Sequence, residues 1–308
     1  MRHPQQEAAV WVAASDHPGG VRVLEPSPPA VVEPPWYADD PVEGGDVLPI
    51  RRPGATTWQD VCLARGDTAL VTFCLERWLG PWRRLESLPA EFPATTASLH
   101  ALAEHVLCPV RHAATGRIGL RWTLGGFGTP YLPTDRQVRV ERGDLVDGDR
   151  RSRPATLGEA ARFLGIDGGA PTDLFQPSSP WRPDQPLTLD PVAATALGDW
   201  FGFATSVLEQ LRADIGPEGA GARIQLWPEH FDIAVSLGGD GHQANYGASA
   251  GDATHPGPYL YVGPWSARAG PFWTEPFGAS LPYDTLLATS DQRGAALEFL
   301  RRGRELLG

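Results

Sequence analysis

Lysine is missing from this chain of 308 residues, and all 26 of its fixed basic side chains are arginines. The absence excludes a Schiff-base lysine, which needs an amine nucleophile. It also excludes the phosphate-binding lysine of P-loop proteins and the strand lysine of protein kinases. Acid–base chemistry must therefore come from histidine, aspartate, glutamate or tyrosine, and fixed positive charge only from arginine.

An excess of basic charge is also missing, since the formal net charge is −11. Neutralising phosphates requires a basic patch, so we expect no nucleic-acid partner. No apolar run approaches membrane-spanning length, and no basic segment with an apolar run opens the chain, so we expect neither a membrane segment nor a signal peptide. Cys62, Cys74 and Cys108 form no C-x-x-C pair and favour a reducing, cytoplasmic location.

Proline and glycine are abundant, with 31 and 35 residues, and they indicate the domain organisation. Clustered prolines predict an extended arm over 1–56, because proline fixes φ and removes a backbone donor. A single α+β domain is expected over 57–308, opening with a short helix and a strand at 68–78. A proline-rich connection divides that domain into candidate halves at 57–166 and 190–308.

Periodicity predicts the helices and strands. The longest amphipathic helix spans 190–213, where Asp190 and Pro191 supply an N-cap acid and a first-turn proline. Shorter helices are expected near 96–112 and 291–307, and a capping box from Thr156 to Glu159, closed by Gly165, predicts another. Alternating residues predict strands. The strands are expected at 118–124, 138–140, 145–146, 223–237 with an interruption at Pro228, 242–247 and 258–263. We therefore expect an α+β fold, a mostly antiparallel sheet packed by the long helix.

A short internal repeat accompanies this pattern. Arg117-Ile118-x-Leu120 recurs as Arg223-Ile224-x-Leu226, and Gln137 matches Gln243 at the same spacing. Each copy follows an amphipathic helix. Two helix-then-hairpin units in pseudo-repeat would explain the identities, and so would chance.

Glycine clusters and helical histidines offer weaker signals. The clusters at 125–128 and 238–241 do not open helices, so we expect turns rather than phosphate loops. His105 and His112 fall away from the apolar stripe of the 96–112 helix and are expected to be solvated or to flank the buried face. His100 lies on the other flank, above Glu104, and stays a candidate catalytic residue.

The densest polar group lies on one strand. His230, Asp232 and Ser236 alternate with apolar residues and so share the outer face. A carboxylate two residues from a histidine can orient it for acid–base catalysis or share a metal ion with it. Asp232 with His230 is therefore the leading catalytic pair. A mononuclear metal enzyme using His230, Asp232 and His255 is one alternative, and the wet face of an ordinary strand is another.

Aromatic residues concentrate near the C-terminus, where Tyr259 and Tyr261 share one strand face. Together with tryptophans they could line a pocket for a flat or apolar ligand. They could equally close the edge of a sheet. The candidate ligand-binding residues are Trp227, Asp252, Tyr259, Tyr261, Trp273 and Glu275, and no cofactor is indicated.

The same region resembles a bacterial family described only as domain of unknown function five-nine-nine-six. Phe231-Asp232, Tyr246-Gly247, Gly251-Asp252, Pro258-Tyr259-x-Tyr261, Trp273-x-Glu275, Leu281-Pro282-Tyr283, Leu88-Pro89 and Thr96-x-x-Leu99-His100 carry the resemblance. It covers roughly 82–308. The family has a small residue where His230 stands, and Thr-Arg-Phe where Ser236-Leu237-Gly238 stand. The resemblance therefore shifts interest toward Asp232, His100, Asp252 and Glu275, and it implies no particular reaction.

Three hypotheses about function follow. The first is a small-molecule enzyme or binding protein with a pocket in the 223–283 region. The second is a non-catalytic interaction module, with the arm and the aromatic edge binding a partner or a second copy in a homo-oligomer. The third is the metal enzyme.

Overall fold

The computed structural model describes residues 84–308 except 124, 131, 133–135, 216–221, 223 and 240, together with four two-residue strands nearer the N-terminus. Those strands are β1 (Val10–Trp11), β2 (Val23–Leu24), β3 (Val47–Leu48) and β4 (Thr56–Thr57). β1 pairs antiparallel with β2, and β3 pairs parallel with β4. Apart from these segments, the predicted arm at 1–56, the helix at 57–66 and the strand at 68–78 lie outside the described residues.

The first half begins with a helix that proline divides. α1 (Phe92–Leu102) continues through a π turn at Ala103–Leu107 into α2 (Cys108–Thr115). The π turn ends two residues before Pro109, whose ring and missing N–H disturb the α-helical hydrogen bonds. An antiparallel sheet and a helix follow along the chain. They are β5 (Arg121–Thr123), β6 (Gly126–Gly128), β7 (Val138–Glu141), β8 (Asp144–Asp147), β9 (Arg150–Ser152) and α3 (Leu157–Leu164).

The second half repeats this order with a longer first helix. Its elements are α4 (Pro191–Ile215), β10 (Gln225–Trp227), β11 (Asp232–Leu237), β12 (Ala244–Ser249), β13 (Tyr259–Pro264), β14 (Ala279–Pro282), α5 (Tyr283–Leu287) and α6 (Gln292–Glu305). β10–β14 also form a five-stranded antiparallel sheet in chain order. The predicted α+β class is confirmed. Each half contains a five-stranded antiparallel meander where the sequence suggested a hairpin.

The two sheets meet at the repeated residues. Leu120 and Leu226 exchange backbone hydrogen bonds of 2.7 and 2.8 Å in an antiparallel bridge. These leucines occupy equivalent positions of the predicted internal repeat, and Gln137 and Gln243 each directly precede the third strand of their sheet. A reciprocal bridge between equivalent residues is what a local twofold axis produces. The shared topology agrees with a pseudo-repeat, while the division at 57–166 and 190–308 stays a prediction.

Helix α4 packs on both sheets and occupies the centre of the buried core. Its N-terminus forms as predicted, since Asp190 Oδ1 accepts the backbone N–H groups of Val192 and Ala193 at 3.0 and 2.8 Å. Close approach to β6 depends on glycine, because a Cβ on Gly198 would lie 2.5 Å from the backbone nitrogen of Gly126. No helix of the described residues is long and apolar enough to cross a membrane.

Two expectations are wrong in detail. Residues 126–128 form a buried strand rather than a turn. The strand requires glycine at Gly126, since a side chain there would strike the carbonyl of Val140 on the neighbouring strand. His105 is fully buried rather than solvated. The proline-rich connection covers it, and its ring nitrogens contact Ser179 O at 3.0 Å and the N–H of Ala170 at 3.1 Å.

Candidate functional site

The outer face of the second sheet carries the candidate site. Along β11 the apolar residues Ile233, Val235 and Leu237 are buried in the core, as their alternation predicts. Asp232 and Ser236 therefore lie on the opposite face. Asp232 is nevertheless only 6% exposed, so something on that face covers it.

The covering group is the ring of Tyr261, two strands away. In the register of the sheet, Gly247 on β12 stands opposite Tyr261 on β13, and Asp232 stands opposite Ser249. A Cβ on Gly247 would lie 2.6 Å from the Tyr261 ring and hydroxyl. Because glycine has no Cβ, the ring lies across β12 and its hydroxyl donates a hydrogen bond to Asp232 Oδ2.

A pocket of about 490 Å³ opens above this row of residues. Aromatic side chains supply most of its walls, and carboxylates and small polar groups supply its floor and rim. Its lining residues are His230, Asp232, Asn245, Ser249, Asp252, Tyr259, Tyr261, Gly263, Pro264, Trp265 and Phe277. A concave site with aromatic walls and few convergent polar groups is typical of small-molecule binding.

Asp232 is the most perturbed carboxylate in the pocket. Burial raises its pKa to about 6, although the hydrogen bond from Tyr261 opposes that rise. Its second oxygen, Oδ1, is buried and accepts no hydrogen bond from another described residue, and the backbone N–H of Asp232 itself is the one further group that acts on the carboxylate as a donor. A buried carboxylate oxygen without a donor is unfavourable by several kcal/mol in order of magnitude, so it is typical of a position that a ligand completes.

A second tyrosine–carboxylate pair lies beside the first. Tyr259 donates to Asp252 Oδ2 at 2.7 Å. Asp252 Oδ1 also accepts the backbone N–H groups of Thr254 and His255 at 2.7 and 2.8 Å. Burial raises the pKa of Asp252, but these hydrogen bonds outweigh it and lower the pKa overall. Asp252 is thus held ionised, while Asp232 titrates near neutrality.

Glu275 supports this second pair from outside the pocket lining. Its Oε1 lies 3.3 Å from His255 Nε2 and accepts the Ser280 hydroxyl at 2.7 Å. The ring of His255 in turn lies 4.8 Å from that of Tyr259. Glu275 therefore orients the wall of the pocket and does not reach its interior.

A tight turn delivers Asp232 to the sheet. The chain reverses between Trp227 and Phe231, and Phe231 adopts φ of +49°, which a bulky residue rarely does. Burial of the Phe231 ring, stacked at 4.9 Å on His100, offsets that strain. His100 Nε2 lies 2.8 Å from the carbonyl oxygen of Pro228 in the same turn.

His100 acts on this turn as a neutral ring. Burial lowers its pKa to about 4, although the hydrogen bond to Pro228 opposes the change. It therefore donates one N–H to the turn near neutral pH and carries no charge. His100 lies outside the pocket lining, so its contribution to the site is to position the turn before Asp232.

The structure brings together five of the nine predicted site residues. Those that line the pocket are His230, Asp232, Asp252, Tyr259 and Tyr261. Glu275 and His100 support it indirectly, while Trp227 and Trp273 lie outside it. Trp273 instead packs edge-on against Phe272 at 4.8 Å, away from the lining.

Sequence reasoning missed two polar lining residues, Asn245 and Ser249. Asn245 Oδ1 accepts hydrogen bonds from Ser236 and from the indole N–H of Trp265, at 2.8 and 3.1 Å. Both residues share the face of Gly247 on β12, so the spacing Asn-x-Gly-x-Ser was the available signal. It was weak because small polar residues are also common on wet strand faces.

Metal binding finds no geometric support in the described part of the chain. No three histidine, cysteine, aspartate or glutamate side chains converge there as metal ligands. His230 lines the pocket with Asp232, whereas His255 lies behind it against Glu275. The hypothesis of a site built from His230, Asp232 and His255 therefore lacks its third ligand.

A second cavity of about 490 Å³ lies beside the N-terminus of α4. Arg84, Arg142, Asp199 and Tyr283 are among its lining residues. None of the predicted site residues lines it, and among its described lining residues there is no buried carboxylate oxygen without a hydrogen-bond partner. The Asp232 pocket is therefore the stronger candidate site.

The chain matches no protein-family model, no curated protein and no solved structure.

Proposed function

We propose that the protein binds a small organic molecule in the Asp232 pocket, with Asp232 as the group that exchanges a hydrogen bond or a proton with it. One observation carries the proposal. Asp232 is buried in the pocket, and only one of its two oxygens has a partner within the described residues. A ligand donor would complete the hydrogen bonding of the carboxylate at Oδ1, which it reaches once a covering side chain such as the Tyr261 ring moves aside.

The neighbouring groups suit a role in acid–base chemistry. A general acid or base works best when its pKa lies near the operating pH, and burial places the pKa of Asp232 at about 6. Tyr261 fixes the orientation of the carboxylate through its hydroxyl. His230, exposed at the rim, is placed to exchange protons between the pocket and solvent.

A thermal-shift screen of cationic, neutral and anionic small molecules tests the proposal. The unmodified chain is compared with Asp232→Asn and with Asp173→Asn, which removes an exposed carboxylate outside the pocket lining. A ligand present at 100 times its Kd stabilises the fold by about 2.7 kcal/mol. We expect at least one compound to raise the Tm of the unmodified chain and of Asp173→Asn by several degrees, and Asp232→Asn to lose that shift.

Two results of this screen would contradict the proposal. If every stabilising compound acts on Asp232→Asn as strongly as on the unmodified chain, the pocket is not the binding site. If no compound of any charge class stabilises the unmodified chain, the proposal fails.

Exposed aromatic side chains at the pocket rim favour a second candidate, a protein-interaction surface. Trp265 is 62% exposed and Phe277 is 39% exposed, and large exposed apolar side chains are enriched where proteins associate. If this surface joins two copies, light scattering should show a mass that rises with concentration and falls in Trp265→Ser. A monomer at all concentrations would leave self-association without support.

A further inference from the structure

The carboxylates that line the pocket favour one class of ligand, an organic cation. Asp232 and Asp252 contribute carboxylates, and no arginine is among the lining residues. His230 is the only lining side chain that can carry a positive charge, and it lies at the exposed rim. We propose that the pocket selects a small organic cation, an amine whose ammonium group donates to Asp232 Oδ1 while its apolar body contacts the aromatic walls.

The hydrogen-bond directions support this assignment. The hydroxyl hydrogens of Tyr261 and Tyr259 are already donated to Asp232 and Asp252. Each phenol oxygen therefore offers the ligand only lone pairs. With the unpartnered Oδ1, these oxygens are acceptors, while the Ser249 hydroxyl and the Asn245 amide are lining groups that can donate. The carboxylate end of the pocket therefore suits a ligand that supplies donors.

The walls suit a positive charge for an independent reason. The ring centroids of Tyr259 and Phe277 lie 6.1 Å apart with their planes inclined by 27°, and Tyr261 stands edge-on to Phe277 at 6.3 Å. Aromatic faces attract cations through the ring quadrupole, and clustered rings beside carboxylates are a recurrent way to bind ammonium groups. The same features disfavour phosphates and carboxylates, which would meet two carboxylates and no arginine.

A bare metal ion fits less well than an organic cation. Metal ions require several converging oxygen or nitrogen ligands, and no such group of three ionisable ligands occurs in the described residues. An ammonium group needs only one or two acceptors and gains from the rings. The apolar body of an amine would also occupy a volume of about 490 Å³ that an ion leaves empty.

The inference rests on the proposed function, and three probes of one shape separate the two. Calorimetric titrations of the full chain at pH 7.5 compare benzylammonium, neutral benzyl alcohol and anionic benzoate. We expect benzylammonium to bind at least tenfold more tightly than benzyl alcohol, and benzoate not to bind. Asp232→Asn should remove that tenfold preference, and Asp173→Asn should keep it.

The pH dependence of benzylammonium binding provides a second test, because a purely structural effect of the substitution would not reproduce it. Because the pKa of Asp232 is about 6, lowering the pH from 7.5 to 5 should weaken benzylammonium binding about tenfold and leave benzyl alcohol unchanged. Tyr261, Glu229 and His230 are the ionisable side chains that interact with Asp232, and His230 is the basic one among them. The titration is therefore repeated in His230→Gln, where the weakening should persist.

The outcomes distinguish the two proposals. If benzyl alcohol or benzoate binds as tightly as benzylammonium or more tightly, and this binding depends on Asp232, the preference for cations is wrong. The proposal that the pocket binds a small molecule would then still hold. Failure of all three probes to bind also overturns the cation inference, and the wider screen then decides the proposed function by itself.

Discussion

Asp232 should make the folded protein less stable at neutral pH than a neutral side chain would. The size of this loss of stability follows from the rise in the pKa of its carboxyl group on folding. The carboxyl has a pKa of about 6 in the fold against 3.8 as the ordinary value. At about 1.36 kcal/mol per pH unit, this difference corresponds to about 3 kcal/mol. Because only 6% of Asp232 is exposed, solvent screening removes little of this free energy.

The sign follows from proton binding. Between pH 3.8 and about 6 the folded chain holds the proton of Asp232 while the unfolded chain has lost it, so stability falls as the pH rises through that range. Below 3.8 the penalty is absent, and above about 6 it is complete. About 2 kcal/mol of it arises between pH 4.5 and 7.5.

Asp232→Asn isolates this contribution. The amide oxygen of asparagine can still accept the Tyr261 hydroxyl, and any misfit of its N–H₂ group adds an offset that does not depend on pH. Urea unfolding at several values from pH 4.5 to 7.5 should show the variant gaining about 2 kcal/mol relative to the unmodified chain. Asp173→Asn should show no such gain. Parallel stability curves for Asp232→Asn and the unmodified chain would refute the burial argument.

Three other substitutions test how the pocket and fold are held. Gly247→Ala should displace the Tyr261 ring from Asp232 and reduce stability by about 1–3 kcal/mol by overpacking; an unchanged near-ultraviolet circular dichroism spectrum would contradict this. His100→Gln should be less stable at pH 7, but the gap should narrow by pH 4.5 in urea unfolding. The reason is that the lowered pKa of His100 stabilises the fold above pH 6.5 and is lost as the pH falls toward 4. Asp190→Ala should reduce stability by about 1 kcal/mol through loss of the α4 cap, measured as a lower Tm, whereas no change would show that α4 begins without it.

Local signals predicted the helix ends well. Asp190 caps α4, Thr156 accepts the N–H of Glu159 at 3.2 Å, and Gly165 ends α3 at φ of +72°. These features depend on residues one turn apart, so the chain specifies them without distant contacts. The resemblance to domain of unknown function five-nine-nine-six gains no test from the structure and stays a hypothesis.

Long-range features were harder to predict. The burial of His105 depends on a connection that joins it some 70 residues later, and the strand at 126–128 depends on its pairing with β7. Nothing in the local pattern distinguishes these outcomes from a solvated histidine and a turn. Periodicity describes faces, whereas register and covering segments decide which face is buried.

By itself the sequence determined which chemistry is possible and which residues share a face. The absence of lysine left histidine, carboxylates and tyrosines for acid–base work, and alternation predicted that Asp232 and Ser236 share one face of a strand. Tertiary structure decided the rest. Gly247 lets Tyr261 cross β12, which buries Asp232 with one oxygen unpartnered, and sheet register brings Tyr259 and Asp252 beside it. Burial and the direction of hydrogen bonds depend on neighbours in space. Only the folded chain could therefore turn an acidic strand face into a pocket whose carboxylates are partly buried by tyrosine rings and whose described lining contains no arginine.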